Sequence, residues 1–440
     1  MRDARWFTAL AAAALLLAGC DTLFGESDGP PLPGERISVL RLNRDLAADP
    51  ALTDLRVRLP KPYVNADWPQ SGGYSTHAMQ HLAAPDALNK AWSVSVGEAA
   101  GDDRFLLAQP VIANGHVYTM DAGADVTAFD AQGGKQVWRV DLTPEDENDG
   151  LFGGGLAYDD GRIFVTTPFG IVFALDAGSG AEIWRSKVSG PMRSAPAASG
   201  GRVFAITDDN ELFTLAADDG RQLWTYSGIA QDAGLLGGST PAVAGDFAVA
   251  AFSSGEIAAF RVETGRTVWG DSLAGVARGD AVATLADIRG LPIIDRDHVV
   301  AVSNSGTMTA IDLERGGRLW NVSIGSTQTP WAAGDFIYVL STDGEIVCLT
   351  RDEGRVRWIQ SLPQFENEQD RENPIVWTGP VLLGDRLVVT GSDGDAISLS
   401  PYTGEPLGRI ILPGRSHQPP IVANNTMYVL SDDGELTAYR

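Results

Sequence analysis

The segment Ala174-Leu175-Asp176-Ala177-Gly178-Ser179-Gly180-Ala181-Glu182-Ile183-Trp184 decides the fold, because it is not alone. A small residue, a glycine six positions later and a tryptophan four beyond that recur along the chain. The copies are Ala128, Gly134 and Trp138; Thr214, Gly220 and Trp224; Ala259, Gly265 and Trp269; Ala310, Gly316 and Trp320; and Cys348, Gly354 and Trp358. A seventh copy keeps Ser398 and Gly404 but has Gly408 where the tryptophan belongs. Self-similarity at this period marks a solenoid or a propeller.

Working outward, each copy opens 28 residues before its tryptophan position, at Pro110, Leu156, Pro196, Pro241, Pro292, Pro330 and Pro380. An eighth opens at Pro420 and stops at Arg440, before its tryptophan. Five residues after the opening stand Gly115, Gly161, Gly201, Asp246, Asp297, Asp335, Asp385 and Asn425, all turn formers. Fourteen before the tryptophan position stand Ala124, Gly170, Asn210, Gly255, Gly306, Gly344, Gly394 and Gly434. All but Ala124 tolerate the positive φ of a tight hairpin. Between these turns, runs such as Arg202-Val203-Phe204-Ala205-Ile206 alternate with period two, as strands do.

Each copy therefore supplies four short antiparallel strands. The fold class is all-β: an eight-bladed β-propeller over residues 66–440. The last blade lacks its fourth strand, and Lys90-Ala91-Trp92-Ser93-Val94 carries a tryptophan with no repeat ahead of it. Donation of that strand closes the ring and removes exposed edges. A solenoid is the alternative, but it needs polar caps and leaves Trp92 unexplained. The small position, occupied by Cys348 in one copy, leaves room for a neighbouring indole. We expect each tryptophan to pack across its sheet or against the next blade, and Cys348 to be a buried apolar side chain.

The chain has 440 residues, 33 Lys+Arg against 57 Asp+Glu, and a net charge of −24. Such a surface repels phosphate, so nucleic acid is a poor partner. Two cysteines exclude a disulfide scaffold or a Cys-rich metal site. Residues 1–19 read as a signal peptide: Arg2 and Arg5 precede the apolar run Trp6 to Ala18, and Leu17-Ala18-Gly19-Cys20 follows the pattern of a bacterial lipobox. Cys20 is the expected lipidation site, and its acyl chains would hold an acidic protein at a membrane. Residues 20–65, with prolines at 30, 31, 33, 50, 60 and 62, read as a tether with a reach of roughly 35–40 Å. Leu32 to Ile37 is alternatively a partner-docking strand.

Chemistry would sit on the connectors between blades, the longest being Gly270–Leu291 and Ile359–Gly379. His77 and His81 could share a metal, but no third ligand is evident and a polar lead-in segment is the plainer reading. Gly153-Gly154-Gly155 lacks the Lys-Ser/Thr of a phosphate loop. Asp208-Asp209-Asn210 and Asp432-Asp433-Gly434 suggest calcium but recur as hairpin turns. His116, His298 and His417 sit in no triad motif. The runs Glu145-Asp146-Glu147 and Glu366 to Glu372 read as solvated loop tips that could meet a basic partner. No catalytic residue, metal or cofactor is expected.

The Ala-x-Asp-x-x-x-Gly-x-x-x-Trp copies (Ala128 to Trp138, Ala174 to Trp184, Ala310 to Trp320) resemble the repeats of pyrroloquinoline-quinone dehydrogenases and their non-enzymatic relatives. With the lipobox and the compact length, the chain resembles the BamB family, lipoproteins of the outer-membrane β-barrel assembly machine. The resemblance implies a periplasmic scaffold that binds the POTRA domains of BamA and assists insertion of β-barrels, without catalysis or a small-molecule substrate. The family contacts BamA through two connectors. One carries Leu-x-Leu-Arg-Gly, where this chain has Ala233-Gly234-Leu235-Leu236-Gly237; Leu235 and Gly237 match, and Ala233 and Leu236 depart. The other carries Asp-x-Asp, where Asp287 matches and Arg289 reverses the charge. Leu235, Leu236, Gly237, Asp287 and Arg289 are thus the implied partner-binding residues, although the two leucines could instead pack inside their loop. Asp21 after the lipidated Cys favours inner-membrane retention in enteric bacteria, against the outer-membrane location implied otherwise. Two alternatives stand beside this reading. A quinone-dependent dehydrogenase would need a vicinal Cys pair and carboxylates around calcium. A receptor for a small ligand or cell-wall polymer would need a deep polar central pocket.

Overall fold

The computed structural model describes residues 46–101, 104–145, 153–231, 234–275 and 285–440. The lipobox, Cys20, Asp21 and the segment Leu32 to Ile37 lie outside them, as do Ala233, Asp146 and Glu147. Among the described residues stand eight four-stranded antiparallel sheets and one two-stranded hairpin. Blade 1 holds Val111–Ala113, His116–Met120, Asp125–Asp130 and Gln136–Asp141, in that order from one edge to the other. Blades 2 to 7 repeat this order, starting at Gly155, Ala197, Ala242, Ile293, Trp331 and Trp377. The first strands of neighbouring blades touch one another from blade 1 through blade 5 and between blades 6 and 7, on the side of the ring that faces its central channel.

The eighth blade closes the ring as expected. Its strands Ile421–Ala423, Thr426–Leu430 and Glu435–Tyr439 are completed by Lys90–Ser95, with Trp92 opposite Ala438 and Val94 opposite Leu436. The chain ends therefore hold one another through a sheet, with no exposed ladder between them.

The repeated residues explain themselves in space. Within a blade each tryptophan faces its small partner across the last two strands: Ala174 opposite Trp184, Thr214 opposite Trp224, Cys348 opposite Trp358. Each indole then spans to the following blade. Trp138 Nε1 donates to the Ala177 carbonyl, Trp184 to Ala217 and Trp224 to Val262, all at 2.9 Å. Trp92 does the same to Ala131 at 3.3 Å. The glycine of that next blade lies against the ring. At Gly180, φ is +74° and a Cβ would fall 2.7 Å from Trp138 Cε3; at Gly220 the distance to Trp184 is 2.5 Å. Glycine is required there for both the backbone and the space. The hairpin position fourteen before the tryptophan has positive φ in all eight blades, including Ala124 at +69°.

Two N-terminal stretches depart from the expected tether. The compact body begins at Leu46, not at residue 66. Residues 49–57 lie along the outer strand of blade 6, Val356–Ser361. Asp49 N–H donates to the Val356 carbonyl at 2.8 Å, and Arg357 donates to the carbonyls of Leu55 and Thr53. Asp49 caps a 3-10 turn, Pro50–Leu52, and pairs with Arg355. Leu52 and Val57 are buried, and their burial anchors a stretch that its prolines alone suggest to be loose.

Residues 63–84 form a plug under the channel, at the end beside the turns between first and second strands. The plug bonds to every blade in turn. Asn65 bridges Val422 and Asn424, Trp68 pairs with Ile112, and the Pro69 carbonyl accepts from Tyr158. Gln70 holds Ala198, Ser75 holds Val243, Thr76 holds Ile294, Gln80 accepts from Trp331, and Leu82 accepts from Gly384. No helix among the described residues is long and apolar enough to cross a membrane.

Candidate functional site

The two connectors singled out by sequence meet on one rim of the propeller. The first joins blades 3 and 4, the second blades 4 and 5. The Leu235 N–H donates to Asp287 Oδ2 at 2.8 Å, tying residues 52 apart in sequence. Asp287 is only 3 % exposed, and its main-chain carbonyl accepts from Asn304. Ile288 beside it is fully buried in the core between blades 4 and 5. Gly237 has φ +93°, and a Cβ there would come 3.0 Å from Arg289 Nε. Leu235, Leu236 and Gly237 are half-buried and Arg289 partly exposed.

The structure therefore brings all five residues into one neighbourhood but divides their roles. Asp287 is a brace, and the surface a partner could touch belongs to the 235–237 loop and Arg289. Burial raises the Asp287 carboxyl, against the Leu235 N–H and the Arg289 charge, which lower it. Burial likewise lowers the Arg289 guanidinium, against the nearby Asp287 charge. Arg289 makes no ion pair with a described carboxylate. Beside these residues a cleft runs between Asp208, Asn210, Leu235, Phe252, Ser253 and Asp287.

The channel itself opens on the same face as a cavity that sequence reading missed. Trp68, Gly72 and His77 of the plug line it, together with Gln109, Gln328 and Gln418 and the cationic or titratable side chains Arg193, Arg289 and His417. Trp68 and Trp331 stack with centroids 6.3 Å apart. The available signal was a glutamine one or two residues before a repeat proline, in three separate copies.

His77 and His81 are plug anchors. His77 Nδ1 lies 2.8 Å from the Pro292 carbonyl, and His81 sits between the carbonyls of Pro60 and Gly384, both at 2.7 Å. Burial pushes His77 down to about 4. Cys348 is fully buried opposite Trp358, and burial raises its thiol. The acidic run Glu366 to Glu372 is carried on a small hairpin, Phe365–Asn367 with Glu372–Pro374, between blades 6 and 7. A quinone with calcium does not fit the cavity: no Cys, Asp or Glu is among its lining residues, so the thiol pair and the carboxylates that such a site requires are missing.

Comparison with known proteins agrees with this architecture. The family model described as outer membrane protein assembly factor BamB matches residues 122–360 and 365–440. The outer membrane protein assembly factor BamB of Salmonella typhimurium is 34% identical over 307 residues, 69% of this chain and 76% of that protein. That of Escherichia coli is 35% identical over 308 residues, with the same coverage. That of Xanthomonas campestris is 32% identical over 363 residues, 80% of this chain and 86% of that protein. Among solved structures, BamB from Moraxella catarrhalis superposes with a TM-score of 0.67 at 22% identity, over 80% of this chain and all of that one. A europium-containing methanol dehydrogenase gives 0.66 at 15% identity, covering 85% of this chain and 98% of that one. These two likenesses concern the fold.

Proposed function

The chain belongs to the BamB family of outer membrane protein assembly factors, and from that premise we propose that it is a non-catalytic scaffold in the assembly of outer-membrane β-barrels. It binds the POTRA domains of BamA through the rim that carries Leu235, Leu236, Gly237 and Arg289. One observation carries this reading: the Leu235 N–H to Asp287 bond joins the two connectors into a single surface. A half-buried apolar loop on a rigid ring suits protein docking. No bond-making chemistry is assigned, since the adjacent cleft and cavity pair no nucleophile with a base.

We further propose that Cys20 is acylated and that the protein faces the periplasm from the outer membrane. Labelling with a palmitate analogue should mark the wild type and not Cys20→Ser. Fractionation decides between outer-membrane residence and the inner-membrane retention that Asp21 would favour.

The docking test is capture of the BamA POTRA region by the full-length lipoprotein in mild detergent. Leu235→Arg should weaken capture about tenfold or more, as central interface residues do. Asp287→Arg should do so indirectly, by releasing the brace. Capture undiminished in both folded variants sinks the assignment of this rim.

A further inference from the structure

The chain carries a net charge of −24, and arginines on or beside its outer strands are commonly held by carboxylates. Arg139 pairs with Asp121, Arg318 with Asp271, Arg355 with Asp49 and Arg409 with Asp395. One stretch breaks this pattern. Between Thr53 and Asn65, Arg56, Arg58 and Lys61 are all exposed and stand against a single carboxylate, that of Asp54. None of the three cations has an ion pair or a side-chain hydrogen bond among the described residues. Arg357 lies beside them, donating to the carbonyls of Leu55 and Thr53. Arg36, Arg41 and Arg44 precede the stretch in sequence.

Exposed apolar groups are interleaved with these charges. Leu55 and Tyr63 are each 38% exposed and Val64 54%. Val57 is buried and Leu59 packs on the same core, so the stretch is fixed to the ring while its cations face solvent. The Arg58 carbonyl and the Pro60 ring lie under Gly334, where a Cβ would come within 3.2 Å of both. Gly334 turns between the first and second strands of blade 6, at the plug end of the ring. The connectors that carry the docking rim run from a fourth strand to the next first strand, and so lie at the opposite end.

Cations mixed with a tyrosine and aliphatic side chains suit an anionic phospholipid surface. Headgroup phosphates meet the charges, and the apolar groups enter the interface. An acidic protein would answer the charges and leave Leu55, Tyr63 and Val64 in water. The rest of the body is acidic and is repelled by such a surface, so this edge alone can face it.

We propose that the basic edge of residues 54–64 rests on an anionic phospholipid bilayer, which turns the plug end of the ring toward the membrane and leaves the connector rim free. The proposal rests on the acylation of Cys20, which brings the ring to the bilayer; the patch sets how the ring lies there.

The test uses the full-length acylated lipoprotein on vesicles of phosphatidylcholine, alone or mixed with phosphatidylglycerol, with an environment-sensitive dye on Val64→Cys. Cys348 is fully buried and the Cys20 sulfur carries the lipid, so the dye has one target. Flotation reads the anchor and should be equal on both vesicles. The dye reads the patch. Its emission should shift to the blue on the mixed vesicles and stay as in water on phosphatidylcholine. Arg56→Ser, Arg58→Ser and Lys61→Ser together should abolish the shift, each cation contributing about fivefold to surface occupancy and the three about a hundredfold. Replacing both arginines by lysine should keep it. The triple variant should capture the BamA POTRA region as wild type does, because the rim lies at the other end. Rising salt should reverse the shift with the three cations in place, which reads the same charge should the triple variant not fold. Equal dye emission on the two vesicles overturns the proposal, as does a shift that survives in the folded triple variant or at high salt.

Discussion

Seven of the eight junctions between blades are filled by an indole, and one is not. Where Trp184 leaves blade 2, it lies on Gly220 and donates to Ala217 of blade 3. At the junction of blades 7 and 8, Gly408 replaces the tryptophan and nothing lies within 4 Å of where its Cβ would be. Leu88 stands where the receiving glycine belongs, four residues before Trp92. The two departures occur together, so indole and glycine act as one unit. Arg386 clamps this junction in their place, donating to the carbonyls of Pro85 and Asp86. A groove remains between Leu88, Val388, Ala396 and Ile410. Leu407 and Ile411 on the outer strand are left 58% and 77% exposed. The ring thus tolerates one unfilled junction when a guanidinium bridges it and the N-terminal plug ties all eight blades together.

The largest effects should come from emptying a filled junction. Trp184→Ala removes a buried indole and its hydrogen bond and should cost about 3–5 kcal/mol, read as a fall in the urea midpoint. Gly180→Ala should cost about 2–4 kcal/mol, combining a positive-φ penalty with overpacking against Trp138. Gly408→Ala is the contrast. It sits in a strand with open space beside it, and its effect should stay within about 1 kcal/mol of zero and tend to stabilise. Similar losses at Gly180 and Gly408 would break the distinction between the two kinds of junction.

Much of this was legible in the chain. The count of blades follows from the glycine–tryptophan spacing, and closure follows from the unmatched Trp92. Both are periodic signals that each copy restates. The plug was not legible. Trp68, Pro69, Ser75 and Thr76 reach their blades largely through main-chain groups, which every residue carries, and they follow no period. In the stretch before it, prolines 50, 60 and 62 suggested a tether, while Leu52 and Val57 gave no alternation to argue otherwise. The rim was half legible: family motifs locate Leu235 and Asp287 on neighbouring connectors. That a backbone N–H would turn Asp287 from a contact into a brace depends on the fold of both loops.

The plug serves filled and unfilled junctions alike, and its titration offers a way to loosen them together. His77 is buried and pushed down to about 4, while in the unfolded chain it titrates near 6.5. The unfolded state therefore binds the extra proton between these values, and stability falls as pH drops below 6.5. From pH 7 to pH 5 the loss from His77 alone should be about 2 kcal/mol. His77→Gln cannot titrate and should show a flatter stability profile over that range, whatever its absolute stability. An unchanged slope would assign the acid sensitivity to other groups.

The smallest effect tests whether the unfilled junction is a repaired gap or a lost repeat. Gly408→Trp alone meets Leu88 where a glycine is needed, so the indole cannot lie down and should remain partly exposed. Leu88→Gly alone deepens the groove and should destabilise by about 1 kcal/mol. If indole and glycine form one unit, the double variant should be more stable than the sum of the two changes by about 1 kcal/mol, measured as a coupling in a mutant cycle. The carbonyl that corresponds to Ala217, seven residues before Trp92, is that of Pro85, and it already accepts from Arg386. The coupling should therefore fall well short of a native junction's. Zero coupling would mean that Arg386 has remodelled the junction beyond the reach of the original pair.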